Sequence, residues 1–372
     1  MTEPLLLANL GAEEPGTGAG SPVRAAALAA AWRALFAPPA FGWLEGVEAA
    51  AWWNDAASER AAVEAGRRLL GAAPDVAGRL HDKAWALELA RREGLEPRIL
   101  RGLASAWSPE ALRAAGAADD LRAALAAWPA WARARYTLKP RIGTSGRGRV
   151  AGEAGELPAG LAGALPRLAA AGGAILEPWL ERMADASAQL RIADDGTVTL
   201  LGTLEMLVSP SGIVHGHRGE FDSRGRPRSG LPEEEALREA AGAVGAAAAR
   251  ARYRGPCGID AFAFRSPDDG RRTFRPLVEC NARFTGGIVA IGHLRRALPE
   301  VKRLLGLAPG DLFHFYVGLD APPGGWPAEP APDRLFRPLL GETEARRIGA
   351  RPGLLVARDP GEIDRRLAPP DA

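Results

Sequence analysis

The sequence predicts a mixed α+β / α/β protein of two or three domains, in which a small α/β unit opens the chain and a half rich in antiparallel sheet follows. Three observations carry this. The 372 residues are well beyond one domain of about 150 residues. The first part alternates a short apolar run, a glycine-rich loop and alanine-rich helical stretches, the strand, loop, helix pattern of an α/β unit. From Tyr136 onward, apolar alternating runs are separated by tight turns such as Asp194-Asp195-Gly196 and Ser209-Pro210-Ser211-Gly212, which are hairpin signals.

Taken in order, residues 5–10 (LLLANL) read as a short buried strand and residues 22–36 as a helix. Residues 58–70 and 81–92 read as two more helices, the second with Trp85, Leu87 and Leu89 on its apolar face and Gly94 as its stop. The run YTLKP is a strand followed by a glycine-rich loop, a helix over 157–171 and the strand AILEPWL at 174–180. A helix over 233–251 separates the first hairpins from two further strands, GIDAFAF at 258–264 and RPLVECNARFTGG at 275–287. After Leu319 a proline-rich stretch leads to LFRPLL, a strand PGLLVARD and a last helix DPGEIDRRL.

Composition narrows the function. Lys and Arg number 47 against 45 Asp and Glu, a net charge of +2, far from the concentrated positive field that dominates nucleic-acid binding. No apolar run reaches the ~20 residues of a membrane helix, and the start MTEPLLLANL lacks the basic region of a signal peptide. Two cysteines, Cys257 and Cys280, exclude a disulfide framework and point to the reducing cytoplasm. Only three basic residues are lysine: Lys83, Lys139 and Lys302. In a chain that writes Arg for a generic positive charge, a retained Lys marks a task for a compact ammonium, such as a point charge on phosphate.

Three segments carry chemistry. In LKPRIGTSGRGRV, Lys139 ends a strand and Gly143, Thr144, Ser145, Gly146 and Gly148 follow within a few positions. Glycines let backbone approach a polyphosphate, and amides and hydroxyls donate to its oxygens. The spacing is not that of a Walker loop, which needs GK[ST] entering a helix, and a flexible hairpin tip is the plain alternative. In AILEPWL, a strand end at Glu177, Pro178, Trp179 and Leu180 could offer backbone groups to an adenine edge, with Asp185 placed to accept from ribose hydroxyls; an ordinary buried strand end is the alternative. On the third segment, Glu279 and Asn281 stand at i and i+2 and so share a face. If the strand of Asp260 is their neighbour, three hard oxygen ligands converge as magnesium prefers, with Arg283 continuing that face. Lys83 lies in the first turn of its helix, a poor place for a cation unless an anion is near.

The ordered set of Lys83, Lys139 with its glycine loop, Glu177-Pro178-Trp179-Leu180, Asp185, Asp260, Glu279 and Asn281 resembles the ATP-grasp superfamily of carboxylate ligases over about residues 80 to 290. The start LLLANLGAEE resembles the pre-ATP-grasp domain of peptide ligases, and Pro178 stands where many members have Lys. The resemblance implies an N-terminal domain at 1–80, a central subdomain at 81–183 and a C-terminal subdomain with an extension at 184–372, the two subdomains clamping ATP. It implies an ATP-dependent carboxylate-amine ligase acting through an acylphosphate and releasing ADP and phosphate. Lys83 and Lys139 would touch the nucleotide phosphates, residues 143 to 148 would close over them, Glu177 to Leu180 would form the adenine hinge and Asp185 would hold the ribose. Asp260, Glu279 and Asn281 would bind Mg²⁺, and Arg283 would steady the transferred phosphoryl or the substrate carboxylate. Its partners would then be ATP, a small carboxylate and an amine. A phosphotransferase on the same fold and a nucleotide-binding module without catalysis are the alternatives. His215, His217, Gln189 and Arg191 are further candidates to face nucleotide or acceptor.

Overall fold

The computed structural model describes residues 3–12, 21–143, 147–209, 212–328 and 331–368. The chain opens with β1 (Leu5–Leu7), α1 (Pro22–Ala34), β2 (Ala49–Ala51), α2 (Ala56–Glu64), α3 (Pro74–His81) and α4 (Lys83–Arg92). β1 and β2 pair in parallel. β1 is shorter than the six residues its sequence suggested, because Asn9 leaves the strand direction and donates from its side chain to the carbonyl of Trp53 at 2.8 Å. α2 is shorter too, ending before Gly66 at φ +64°, where the left-handed conformation stops a helix. The helix expected from residue 81 starts at Lys83, since Asp82 caps it by accepting from the Ala84 amide at 2.8 Å.

Next come β3 (Ser105–Trp107), α5 (Pro109–Arg113), α6 (Ala117–Ala126), α7 (Ala130–Ala134), β4 (Arg135–Pro140), β5 (Val150–Glu153), α8 (Leu161–Ala170) and β6 (Ala174–Pro178). Their strands form a four-stranded antiparallel sheet in the order β3-β6-β4-β5. Gly173 makes its entry possible: it sits at φ +108°, and a Cβ there would lie 2.1 Å from the Trp107 carbonyl. Gly173→Ala should therefore destabilise the protein by more than the 1–3 kcal/mol typical of backbone strain alone, read as a fall in the urea midpoint; an unchanged midpoint would contradict this packing.

The remaining elements are β7 (Arg182–Ile192), β8 (Val198–Val208), β9 (Val214–Asp222), β10 (Pro227–Arg228), α9 (Glu234–Arg250), β11 (Gly255–Arg265), β12 (Arg272–Asn281), α10 (Gly286–Leu305), β13 (Leu312–Gly318), β14 (Arg334–Pro338), α11 (Glu342–Ile348), β15 (Gly353–Ala357) and α12 (Pro360–Leu367). They build a large sheet in the order β12-β11-β7-β8-β9-β13-β15-β14, with β10 on the side of β9. The chain is thus a mixed α/β protein, as its sequence predicts. α3, α4 and α9 cover one face through Leu80, Leu89, Leu237 and Val244. α10 covers the other, its Ile288, Ile291 and Leu294 sharing a core with Trp32 of α1 and with Trp52 beyond β2. The N-terminal residues therefore complete the core of the large sheet. Burial of such side chains stabilises by about 1.5–3 kcal/mol each, which fixes the sheet as a rigid base.

Candidate active site

A cleft of about 1720 Å³ lies between the four-stranded sheet and the large sheet, and Lys83, Lys139, Gly143, Glu177, Trp179, Leu180, Asp185, Asp260, Glu279, Asn281 and Arg283 all line it. Thus residues spread over two hundred positions of sequence meet in one place. Thr144, Ser145 and Gly146 lie outside the described residues. Gly148 is exposed, at φ +68°.

Register builds the acidic centre. β11 and β12 are antiparallel neighbours that place Asp260 directly opposite Glu279, and Gly258 opposite Asn281. Side chains of directly opposed residues stand on the same face of a sheet, so both carboxylates point into the cleft. Asn281 Nδ2 donates to Asp260 Oδ2 at 3.1 Å. Desolvation, together with the adjacent Glu279 carboxylate, pushes Asp260 well above the usual carboxylate range. Desolvation also acts to raise Glu279, but the Lys83 and Lys139 ammonium groups outweigh it and hold Glu279 below its ordinary value. Two carboxylates crowded together must share a proton or a cation. This donor set, two carboxylates and an amide oxygen, fits a hard divalent ion such as Mg²⁺.

Arg283 lies beyond the end of β12, so the strand alternation that would have placed it on the ligand face no longer applies. It reaches the centre by another route: Nη2 donates to Asn281 Oδ1 at 3.2 Å and Nη1 to the Phe284 carbonyl at 2.8 Å. Its guanidinium also sits over the Trp52 ring, 5.6 Å from the centroid.

Both lysines are held by carboxylates. Lys83 Nζ lies 3.3 Å from Glu279 and donates to the Gly143 carbonyl at 2.5 Å. The anion that its first-turn position called for is therefore Glu279. Lys139 Nζ lies 2.7 Å from Glu177 Oε1, and Arg275 Nη1 lies 3.0 Å from Glu177 Oε2. Burial pushes Lys139 below the usual ammonium value, against the pull of Glu177. Burial would raise Glu177, but Lys139 and Arg275 outweigh it and bring the carboxyl down to about 2. Glu177 is on β6 and Arg275 on β12, so this buried pair crosses between the two sheets. The carboxylate of Glu177 thus faces the cations, and only its backbone remains for any hinge role.

Beyond Glu177, the Trp179 amide donates to the Arg135 carbonyl at 2.8 Å, and Arg149 sits over the Trp179 ring at 4.5 Å. Leu180 packs with Leu100, Phe262 and Phe264. Asp185 accepts from Arg182 at 2.6 Å, and burial raises its carboxyl above the ordinary value. His215, His217 and Gln189 line the cleft, while Arg191 turns away to stack over Trp43 at 5.4 Å. Sequence reasoning missed Arg275, Arg24 and Trp52. Arg275 sits on the same strand as Glu279, four positions before it, but the pairing with β11 is irregular between them and Leu277, midway, belongs to the opposite core, so alternation along the sequence gave no usable signal.

No family model matches the chain, and no curated protein matches it. Solved structures do. The biotin carboxylase domain of 2-oxoglutarate carboxylase from Hydrogenobacter thermophilus, in complex with MgADP, ADP and bicarbonate, is 15% identical, with a TM-score of 0.53 over 98% of this chain and 88% of that one. Pyruvate carboxylase from Rhizobium etli, with acetyl coenzyme A, is 16% identical with a TM-score of 0.51, covering 86% of this chain and 30% of that chain. Biotin carboxylase from Campylobacter jejuni, in a complex with ATP, is 13% identical with a TM-score of 0.50, over 83% of this chain and 70% of that chain.

Proposed function

This chain has the ATP-grasp fold, and from that fold we propose that it is an ATP-dependent ligase, which activates a carboxylate as an acylphosphate and joins it to an amine. The observation that carries the reading is the meeting, in one cleft between two sheets, of Lys83 and Lys139 with the opposed pair Asp260 and Glu279. The neighbours are solved with ATP, with ADP and with MgADP, which agrees with a nucleotide in such a cleft.

The chemistry follows from charge. A carboxylate oxygen attacks the γ-phosphorus, the bond to the ADP oxygen breaks, and the amine nitrogen then attacks the acyl carbon, loses a proton and expels phosphate. Lys83 and Lys139 exchange their carboxylate partners for phosphate oxygens, and Glu177 stays paired because Arg275 remains on its other oxygen. Asp260, Glu279 and Asn281 would hold Mg²⁺, which supplies neutralisation of phosphate charge. Arg283 stabilises the charge gathering on the transferred group or orients the acid. Asp185 would accept from ribose hydroxyls, and Trp179 and Leu180, with the backbone of Glu177 and Pro178, would border the adenine. Residues 143 to 148 would close over the phosphates, keeping water from an acylphosphate. The setting is the cytoplasm.

Lys139→Met should weaken ATP binding about tenfold to a hundredfold, the range of a lost charge-assisted contact, while circular dichroism stays unchanged because Glu177 keeps Arg275. Lys83→Met should act in the same direction. Titration with a fluorescent ATP analogue measures both; unaltered affinity in the two variants would remove the lysines from the nucleotide site. The reaction class is tested with hydroxylamine as the amine. A carboxylate-dependent hydroxamate formed with stoichiometric ADP supports the ligase, whereas phosphate transfer to an alcohol without hydroxamate would make the protein a phosphotransferase.

A further inference from the structure

The acid that this cleft accepts can be read from the apolar part of its wall. There the N-terminal residues reach into the wall: Leu28 of α1 and Trp52 line the cleft beside Val289 of α10, Val317 of β13 and Leu339. Trp52, Val289, Val317 and Leu339 belong to one packed cluster, against which Leu28 rests, so the apolar lining is continuous. It is also held in place. Arg24, one turn before Leu28, donates to the Val214 carbonyl at 2.6 Å and to Asp320 at 2.8 Å, pinning α1 to the edge of β9 and to the loop after β13.

The polar end of the same space touches this wall. Arg283 stacks on Trp52 and bonds to Asn281, so it stands between the acidic centre and the apolar lining. α10 opens here with Gly286 and Gly287, capped by Thr285, which accepts from the Ile288 amide at 3.1 Å. A helix N-terminus favours an anion. An independent feature points to a ligand. His217 lines the cleft while only 8% exposed, and no hydrogen bond to its ring is present among the described residues. It packs beneath Gly286, where a Cβ would meet its ring at 3.0 Å, and stands opposite Val317 on the neighbouring strand. Burial lowers its pKa to about 4, so it presents a neutral ring with both nitrogens unclaimed. Lining the cleft with no hydrogen bond among the described residues, the ring is available to bond to a polar group bound there.

We infer that this end of the cleft binds a monocarboxylic acid with an apolar side chain or tail, its carboxylate between Arg283 and the N-terminus of α10 beside His217, and its apolar body against Leu28, Trp52, Val289, Val317 and Leu339. The inference rests on the ligase reading for the reason an acid is bound, and adds the class of acid. A dicarboxylate or a polar acid would leave its second polar group desolvated against this wall, which selects against it.

The test is equilibrium binding, which needs no turnover. Isothermal titration with acetate, butyrate and hexanoate in the presence of MgADP should show affinity rising about fourfold per methylene, with adipate weaker than hexanoate. Leu28 is half-exposed, so Leu28→Asp should fold normally, keep its affinity for MgADP and flatten the series, while Leu28→Met preserves it. Absence of hexanoate binding, a flat series in the wild type, adipate binding as tightly as hexanoate, or an undiminished series in Leu28→Asp would each overturn the inference. Hydroxamate formation is followed in parallel. If the binding series holds and no acid yields hydroxamate or ADP, the ligase reading fails and the apolar acid site stands; if small acids yield hydroxamate and the series is flat, the ligase reading stands and this inference fails.

Discussion

Glu279→Gln is expected to lower kcat about a hundredfold to a thousandfold, the usual cost of removing one preorganised electrostatic group from a transition-state site, with little change in folding. The substitution keeps shape but removes a charge set directly opposite Asp260. Lys83 retains the Gly143 carbonyl as a partner, so the loss is not a bare buried cation. With fewer anionic oxygens for Mg²⁺, the metal concentration needed for half-maximal rate should rise along with the loss of rate. Because attack is proposed at the γ-phosphorus, the wild-type products should be ADP and phosphate. Nucleotide chromatography and a magnesium titration of kcat check both points. AMP as the main product, or an unaffected kcat in the variant, would overturn the assignment of this pair.

Glu177→Gln should act on stability. Its carboxylate is the common partner of Lys139 and Arg275, and breaking a buried ion pair from one side costs about 3–5 kcal/mol, since the remaining charges lose their compensation. The pH dependence carries a signature. The folded carboxyl sits at about 2 against an ordinary 4.5, so its contribution is fully present above pH 4.5 and fades as the pH falls toward 2. Urea unfolding at a series of pH values should show the wild type losing stability through that window, and Glu177→Gln, already less stable at neutral pH, losing less within it. Parallel pH profiles for the two proteins would show that Glu177 is not the group held down.

Much of the candidate site was legible because its residues are rare here or interrupt apolar runs. Lys83 and Lys139 stood out in a chain with three lysines, and the Glu279, Asn281 alternation already fixed a common face before the register with Asp260 was known. What the sequence could not show is who pairs with whom. Glu177 reads as a strand end until Arg275, ninety-eight positions later, is brought onto it by the packing of two sheets. Arg275 itself is hidden in a chain that uses arginine as its ordinary cation. α3 was missed because its start, Ala73-Pro74, has the look of a turn, although proline suits the first helical position. The role of Trp52 and Leu28 was invisible for a related reason: apolar side chains in an N-terminal unit read as that unit's own core, and only tertiary contact with α10 makes them part of the cleft.

The large sheet does not stop at the acidic centre. β13 is hydrogen-bonded to β9 on one side and to β15 on the other, β14 closes the row against β15, and Asp364 of α12 reaches back to Arg218 of β9 at 2.9 Å. Cutting the chain after Gly318 would strip β15 and β14 from β13 and leave an open edge carrying Phe313, Phe315 and Val317, a template for pairing between chains. Truncated protein should accordingly gather into aggregates, and the strand that aligns Val317 with His217 would be the one recruited into them. The chain after Gly318 thus guards the acid-binding end of the cleft by keeping its neighbouring strand from becoming an adhesive surface.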